Sequence, residues 1–184
     1  MAVAKEVGTI ISLDGGAQRY DEDMKPITEA SHIVIVARDY AEKYTGTTNL
    51  EDACRIIHER GAFIAGVTDG ANGSYFVWPD GTFYRCEPFS QATVVDTTGA
   101  GDSFHGAFLY MLTKTLCKIA DGTNTSTMNE TSQSLNAIDL LHSCAHEDLE
   151  KAATFASAVA ALNTQGIGGR SPLPSLEDIK ALIG

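Results

Sequence analysis

The stretch Val94-Val-Asp-Thr-Thr-Gly-Ala-Gly-Asp-Ser-Phe-His-Gly-Ala-Phe108 decides the fold. Two β-branched residues run into a turn of small residues, and a long, mainly apolar segment reaching past Leu116 follows. That order predicts a strand end, a loop, and a helix beginning near Ser103. Gly99 and Gly101 free the backbone to turn consecutive amide N–H groups, those of Gly99, Ala100 and Gly101, toward one anion. The positive end of the helix adds to the same pocket. Asp102 then stands at the lip of an anion hole, where a carboxylate is well placed to take a proton from an attacking hydroxyl. An ordinary helix start with Asp102 as a cap would need neither flanking glycine.

Asp96-Thr97-Thr98-Gly99-Ala100-Gly101-Asp102, followed by Ser-Phe-His-Gly-Ala-Phe, closely resembles the C-terminal signature of the ribokinase-like (PfkB) carbohydrate kinases. The resemblance implies a three-layer α/β fold with a mainly parallel sheet between helices, and ATP as the phosphoryl donor with Mg²⁺ bridging its phosphates. It makes Asp102 the base, with the amides of Gly99, Ala100 and Gly101 holding the charge of the moving phosphoryl group. Asp96 and Thr98 match positions where family members hold a monovalent cation, K⁺ in this reading. A pair of hydrogen bonds stapling the loop explains the same two residues.

The remaining composition narrows the partners. The chain has 184 residues, 43% hydrophobic and 20% charged, with a net charge of −11. Those are globular values for a single domain able to bury about two-thirds of its unfolded surface. The negative charge argues against nucleic acid and against an anionic membrane surface as partners, since both call for a basic footprint. Cys54, Cys86, Cys117 and Cys144 form no CxxC pair, a pattern of reduced thiols in a cytoplasmic protein. No signal peptide and no run of 18 apolar residues occurs. The Asn124 and Asn129 sequons then carry no meaning, because glycosylation needs secretion.

Read from its start, the chain offers a helix tail at Met1–Val7, a strand at Thr9–Leu13, and a turn at Asp14-Gly15-Gly16. In ribokinase-like proteins a segment like Ile-Ser-Leu-Asp-x-x-x-x-Arg lies about halfway along. The resemblance therefore covers nearly all of this chain but only the C-terminal half of the family, without the half that carries the sugar contacts and the β lid. It implies one incomplete domain over residues 1–184 and little sugar phosphorylation by these residues alone. Asp14 and Arg19 read as turn residues in preference to ligand contacts.

His32–Ala37 suits a buried parallel strand. The family's Asn-Glu-x-Glu motif, which orders Mg²⁺-bound water, should follow, yet Ala37-Arg38-Asp39-Tyr40 stands there. Asp39 and Glu42 read as solvated helix charges. Asn49 and Asp52 cap a helix over Leu50–Arg60 that Gly61 closes. Phe63–Val67 is the next strand. Thr68-Asp69-Gly70-Ala71-Asn72-Gly73 after it resembles the family's Thr-x-Gly-x-x-Gly nucleotide segment, making Thr68, Gly70 and Gly73 nucleotide contacts; a hairpin turn has the same residues.

Ser74–Trp78 and Thr82–Pro88 flank the Pro79-Asp80-Gly81 turn and predict an antiparallel edge. Thr93–Val95 is expected to be the strand that delivers the central loop, and Phe104–Leu116 the covered helix, with His105 a packing residue. Asp121–Ser134 reads as a polar solvent loop and Leu135–His142 as a short helix. His142, Cys144 and His146 are alternate residues without a fourth ligand at a recognised spacing. A small-residue helix runs from Leu149 to Gly166, and its Phe155-Ala-Ser157-Ala resembles the family's Phe-Ala-Asn-Ala, which puts Ser157 beside the adenine. Ser175 and Asp178 cap the final helix, Leu176–Ile183.

In an α/β layer, ligands bind at the carboxyl ends of the strands, where Thr68–Gly73 and Thr97–Asp102 both fall. No GxxxxGK[ST] occurs, which sets aside a P-loop kinase. The residues point to ATP-dependent phosphoryl transfer to a hydroxyl of a sugar-like substrate. The lost Asn-Glu-x-Glu pattern leaves open a non-catalytic nucleotide-binding remnant. A missing strand beside Thr9–Leu13 leaves open a homodimer built on an exposed edge.

Overall fold

Ile33-Val-Ile-Val and Ile64-Ala-Gly-Val are apolar at every position, and a strand of that kind is stable only with both of its faces covered. The computed structural model, which describes residues 7–90, 93–126, 136–170 and 173–184, supplies that cover. Its elements in chain order are β1 (Ser12–Gly15), α1 (Lys25–Ala30), β2 (Ile33–Ala37), α2 (Arg38–Thr45), α3 (Leu50–Glu59), β3 (Ile64–Thr68), β4 (Ser74–Val77), β5 (Phe83–Cys86), α4 (Ala100–Ser126), α5 (Ala137–His142), α6 (His146–Asn163) and α7 (Leu176–Ile183).

The strands lie in the order β1-β2-β3-β4-β5. β1, β2 and β3 are parallel, with Ile33 opposite Ser12 on one side and Ile64 on the other; β4 and β5 complete the sheet as an antiparallel hairpin. Because side chains alternate along a strand, Ile33, Ile35 and Ile64 face one layer, made by α4, α5, α6 and α7. Val34, Val36 and Val67 face the other, made by α2 and α3. The sheet is thus the middle of three layers, and β1 and β5 are its two edges among the described residues.

What fixes α4 against the sheet is an aromatic stack. Phe104 and Phe108, one helical turn apart, lie with ring centroids 6.3 and 5.6 Å from Phe76 of β4, which in turn stacks on Trp78 at 4.8 Å. Phe108 is wholly buried. Phe108→Ala should lower stability by about 3–5 kcal/mol, read as a fall in the urea midpoint with an unchanged m-value.

Several expectations hold: the Asn49 cap on α3, whose Oδ1 accepts the Glu51 and Asp52 amides at 3.0 and 3.2 Å, the β4–β5 hairpin, and the Ser175–Asp178 capping box on Leu176–Ile183. Three shift. β1 begins three residues later than expected, because the Ile11 carbonyl is already taken by the amides of His32 and Ile33 and ladder pairing starts beyond it. The segment Thr93–Val95 is not a strand; the amides of Val95 and Asp96 both donate to the Thr164 carbonyl, at 2.8 and 3.1 Å, tying it to the end of α6 instead of the sheet. Residues expected to open a solvent loop at Asp121 continue α4 as far as Ser126, since adding a residue to an existing helix is far easier than nucleating one. The rest of that expected loop, residues 127–134, lies outside the described residues, as do Leu135 and all but Val7 of the expected helix tail.

Candidate active site

The central loop is held by Asp96. Its Oδ1 accepts the Thr98 amide at 2.8 Å and its Oδ2 the Gly168 amide at 2.9 Å. The Thr98 amide, then that of Gly168, keeps the Asp96 carboxyl below the usual carboxylate range, because hydrogen bonds to the charged form favour it. Asp96 is therefore the staple between the Thr97–Gly99 turn and the Gly166–Gly169 loop.

That staple brings two backbones together. Gly99 has φ +79, and a Cβ there would lie 2.5 Å from Gly169 Cα, so both the left-handed conformation and the contact exclude a side chain. Gly101 differs from expectation: its φ is not positive, and a Cβ would meet nothing within 4 Å. Its missing side chain keeps the mouth of the loop open without relieving strain. The Ala100 amide also departs from the expected role, since it donates to the Thr97 carbonyl at 3.2 Å within the turn. α4 makes its first backbone bond from the Ser103 amide to the Gly99 carbonyl, at 2.8 Å. The amides of Gly101 and Asp102 precede that bond, among the first-turn donors for which a helix, here of 27 residues, supplies no acceptor of its own.

Asp102 is exposed at the rim of a cleft of about 420 Å³ whose walls include Gly106, Tyr110, Phe155 and Gly169. Behind it stands a group whose members the sequence predicts as turn residues (Asp14, Arg19) and a packing residue (His105). Asp14, at the carboxyl end of β1, is a hydrogen-bonding neighbour of Asp102, and His105 and Arg19 flank it. Crowding by protein atoms raises the Asp14 carboxyl above its ordinary range; His105 opposes this, Asp102 adds to it, and Arg19 opposes it. His105 is buried, with Nε2 2.9 Å from Ser12 Oγ. The available signal was Asp14's place at a strand's carboxyl end, where α/β sheets bind ligands.

The expected nucleotide segment forms the β3–β4 connection. Thr68 pairs with Ser74 across it. Gly73 has φ +91, and a Cβ there would lie 2.3 Å from the Cys86 carbonyl oxygen, so this glycine is needed by the hairpin itself. Gly70 is open, with nothing within 4 Å of an added Cβ. Asp69 accepts Arg38 Nη1 and Asn72 Nδ2, each at 3.0 Å. Ser157 Oγ reaches the Glu87 carbonyl at 3.5 Å, one residue past the strand that Gly73 touches. The two expected halves of the site thus share α6: Ser157 lies on it beside the β4–β5 hairpin, and Thr164 ends it under Val95 and Asp96. Seven helical residues separate them, about 10 Å, within the span of a nucleotide.

Other candidates dissolve. Asp39 and Glu42 are engaged, not merely solvated: Asp39 Oδ2 accepts the Gln18 amide at 2.6 Å, and Glu42 pairs with Arg38 at 2.7 Å. His142 packs edge-on against Phe63, and His146 pairs with Asp80 at 2.9 Å. Among the described residues no three His, Cys, Asp or Glu side chains are grouped to hold a metal, no helix is long and apolar enough to cross a membrane, and all four cysteines are free.

A glycine-bent loop, a helix N-terminus and a rim carboxylate at the strand ends of a three-layer sheet place the chain in the α/β class. The pfkB family carbohydrate kinase profile matches residues 2–176, and the chain belongs to that family. A cytidine kinase of Thermococcus kodakarensis is 34% identical over 88 residues, 47% of this chain and 31% of that protein. A Vibrio cholerae fructokinase solved with fructose, ADP and calcium ion superposes with TM-score 0.72 at 22% identity, over 100% of this chain and 53% of that one. An Escherichia coli chain assigned as a ribokinase II, in complex with ATP and Mg²⁺, gives TM-score 0.66 at 19% identity, over 99% of this chain and 51% of that one. The fold is ribokinase-like, and the chain spans about half the length of these solved relatives.

Proposed function

We propose that the chain carries the nucleotide-binding and catalytic part of an ATP-dependent kinase that phosphorylates a hydroxyl of a sugar-like or nucleoside acceptor. The single observation that carries this reading is the Gly99–Asp102 turn, where first-turn amides and one exposed carboxylate meet at a helix N-terminus. In the reaction Asp102 accepts the acceptor's hydroxyl proton as the oxygen attacks the γ-phosphoryl group. The amides of Gly101 and Asp102, with Gly99 shaping the turn, stabilise the charge on that group. Thr68, Gly70 and Ser157 line the path for ribose and adenine, and Gly73 holds that path's wall in place.

Two carboxylates, Asp14 and Asp102, suffice for an ion that usually keeps several waters and leans on substrate phosphates, so these residues fit Mg²⁺. Bound there it would neutralise phosphate charge. Asp96 keeps two of its roughly four lone-pair positions after binding the Thr98 and Gly168 amides, which leaves room for K⁺ beside Thr98. A cytoplasmic setting and a homodimer paired along the open side of β1 complete the reading; light scattering tests the second.

A non-catalytic nucleotide-binding module is favoured by one observation: Arg38, with its two ion-pair partners, stands where relatives carry an Asn-Glu-x-Glu motif. Thermal shift with ATP and Mg²⁺ separates the readings when run beside transfer to a panel of ketoses, ribose and nucleosides. The kinase reading requires an ATP-dependent rise in Tm and acceptor-dependent ADP release. A rise without transfer, even with the N-terminal half of a relative supplied, leaves the module; no rise removes both.

A further inference from the structure

β2 and β3 run side by side until Ala37 pairs with Thr68. The next residue along each segment is charged: Arg38 opens α2, and Asp69 opens the connection to β4. Arg38 Nη1 donates to Asp69 Oδ2 at 3.0 Å. An ion pair thus bridges the carboxyl ends of two neighbouring parallel strands, where α/β sheets bind their ligands. Both partners are restrained by further bonds. Glu42, one turn along α2, accepts Arg38 Nε at 2.7 Å and limits the freedom of the guanidinium to turn. Asp69 Oδ2 also accepts Asn72 Nδ2 at 3.0 Å, while the Asp69 amide donates to the Gly73 carbonyl and the Asn72 amide to the Asp69 carbonyl, each at 2.9 Å.

Asp69 is therefore the centre of the hydrogen bonds that shape the Thr68–Gly73 connection, and Arg38 reaches that centre from outside it. The two ends of the connection are fixed separately, Thr68 by the ladder with Ala37 and Gly73 by its close approach to the Cys86 carbonyl. Between them Gly70 and Ala71 stay exposed, and a Cβ on Gly70 would meet nothing within 4 Å. The backbone that the connection leaves open to a ligand is the stretch whose position Asp69 sets.

We propose that Arg38 is a positioning residue for the nucleotide: acting through Asp69, it fixes the Gly70–Ala71 backbone where the nucleotide meets it. This rests on the reading of Thr68–Gly73 as a nucleotide segment, and it applies to a kinase and to a nucleotide-binding module alike. The pair supplies direction more than stability. The Arg38 side chain is 45% exposed and that of Asp69 15%, and ion pairs so open to solvent contribute little to folding. What arginine adds is a planar fork that holds Glu42 and Asp69 at once in fixed directions, which the single ammonium of a lysine does not.

The test compares the wild type with Arg38→Met, Asp69→Asn and the double variant. Arg38→Met keeps the aliphatic stem without the charge, and Asp69→Asn keeps an acceptor for Asn72. In nucleotide-free Arg38→Met the amides of Asn72 and Gly73, bonded to the Asp69 and Gly70 carbonyls, should exchange hydrogen on the order of tenfold faster. Tm should move by no more than about 2–4 °C. ATP affinity by calorimetry should fall on the order of tenfold in each single variant and no further in the double, because residues that act through one contact are not additive. In a form that turns over, KM for ATP should rise while kcat holds, since the reacting groups are untouched. Unchanged exchange at Asn72 and Gly73 in Arg38→Met overturns the proposal. So does an additive loss of affinity in the double variant, which would make Arg38 a direct contact of the nucleotide. A wild-type chain that does not bind ATP would instead remove the nucleotide reading of the segment, and the exchange measurement, which needs no nucleotide, still decides whether Arg38 holds it in place.

Discussion

Asp102→Asn should lower phosphoryl transfer by about 10²–10⁴-fold, the usual contribution of a positioned general base, while the affinity for ATP with Mg²⁺ stays within a few-fold of wild type. The asymmetry follows from where Asp102 stands. Its side chain is exposed at the cleft rim, and the donors offered to the nucleotide are backbone amides that an amide side chain leaves unchanged. Asn also removes one of two neighbouring carboxylates, so Asp14 loses a like charge and its carboxyl should ionise more readily. The clean experiment measures ADP release against acceptor concentration and ATP affinity by calorimetry on the same preparation. Equal turnover in the mutant would end the assignment of Asp102 as base, and a collapse of ATP affinity would make the residue a nucleotide contact instead.

The second large effect is expected at Gly99, where alanine must fail for two separate reasons. A left-handed φ of +79 costs a residue with a Cβ about 1–2 kcal/mol, and the new Cβ would sit 2.5 Å from Gly169 Cα, a backbone atom with no rotamer to change. Relief requires the Gly166–Gly169 loop to move away, which pulls the Gly168 amide from Asp96 Oδ2. At about 2–4 °C per kcal/mol for a chain of this size, Tm should fall by several degrees, and ATP affinity should drop by on the order of tenfold or more as the amides lose their aim. Gly101→Ala is the matched control. Its Cβ meets nothing and lies in the first helical turn, so Tm should hold or rise while ATP binding weakens because the mouth is narrowed. Identical thermal curves for wild type and Gly99→Ala would show that the loop contact is dispensable.

The contrast between these two glycines marks how far the sequence could be read. The loop motif announced a strand-to-helix anion site, and the apolar runs at Ile33–Val36 and Ile64–Val67 announced buried parallel strands. Caps at Asn49 and Ser175 were legible because capping is local: one side chain and an amide two or three residues on. Which glycine needs its freedom was not legible, since that depends on Gly169, seventy residues downstream. The Thr93–Val95 strand failed for the same reason: β-branched residues favour extended backbone, but whether extended backbone joins a sheet depends on the partner it meets, here the Thr164 carbonyl. Asp39 looked like a solvated charge because its partner, the Gln18 amide, is brought to it by the turn after β1, whereas the pairing of Glu42 with Arg38 is a local i,i+4 contact that the helix alone supplies.

By itself, then, the sequence determined the layer architecture, the family and the place of the phosphate loop, because periodicity, turn chemistry and a run of seven consecutive residues are encoded over short distances. Only the tertiary structure brought Asp14 and Ser12 from one strand against Asp102 and His105 from a helix ninety residues away. Proton affinity and side-chain direction depend on what crowds a group in space, and that crowding exists only once the strand and the helix have packed.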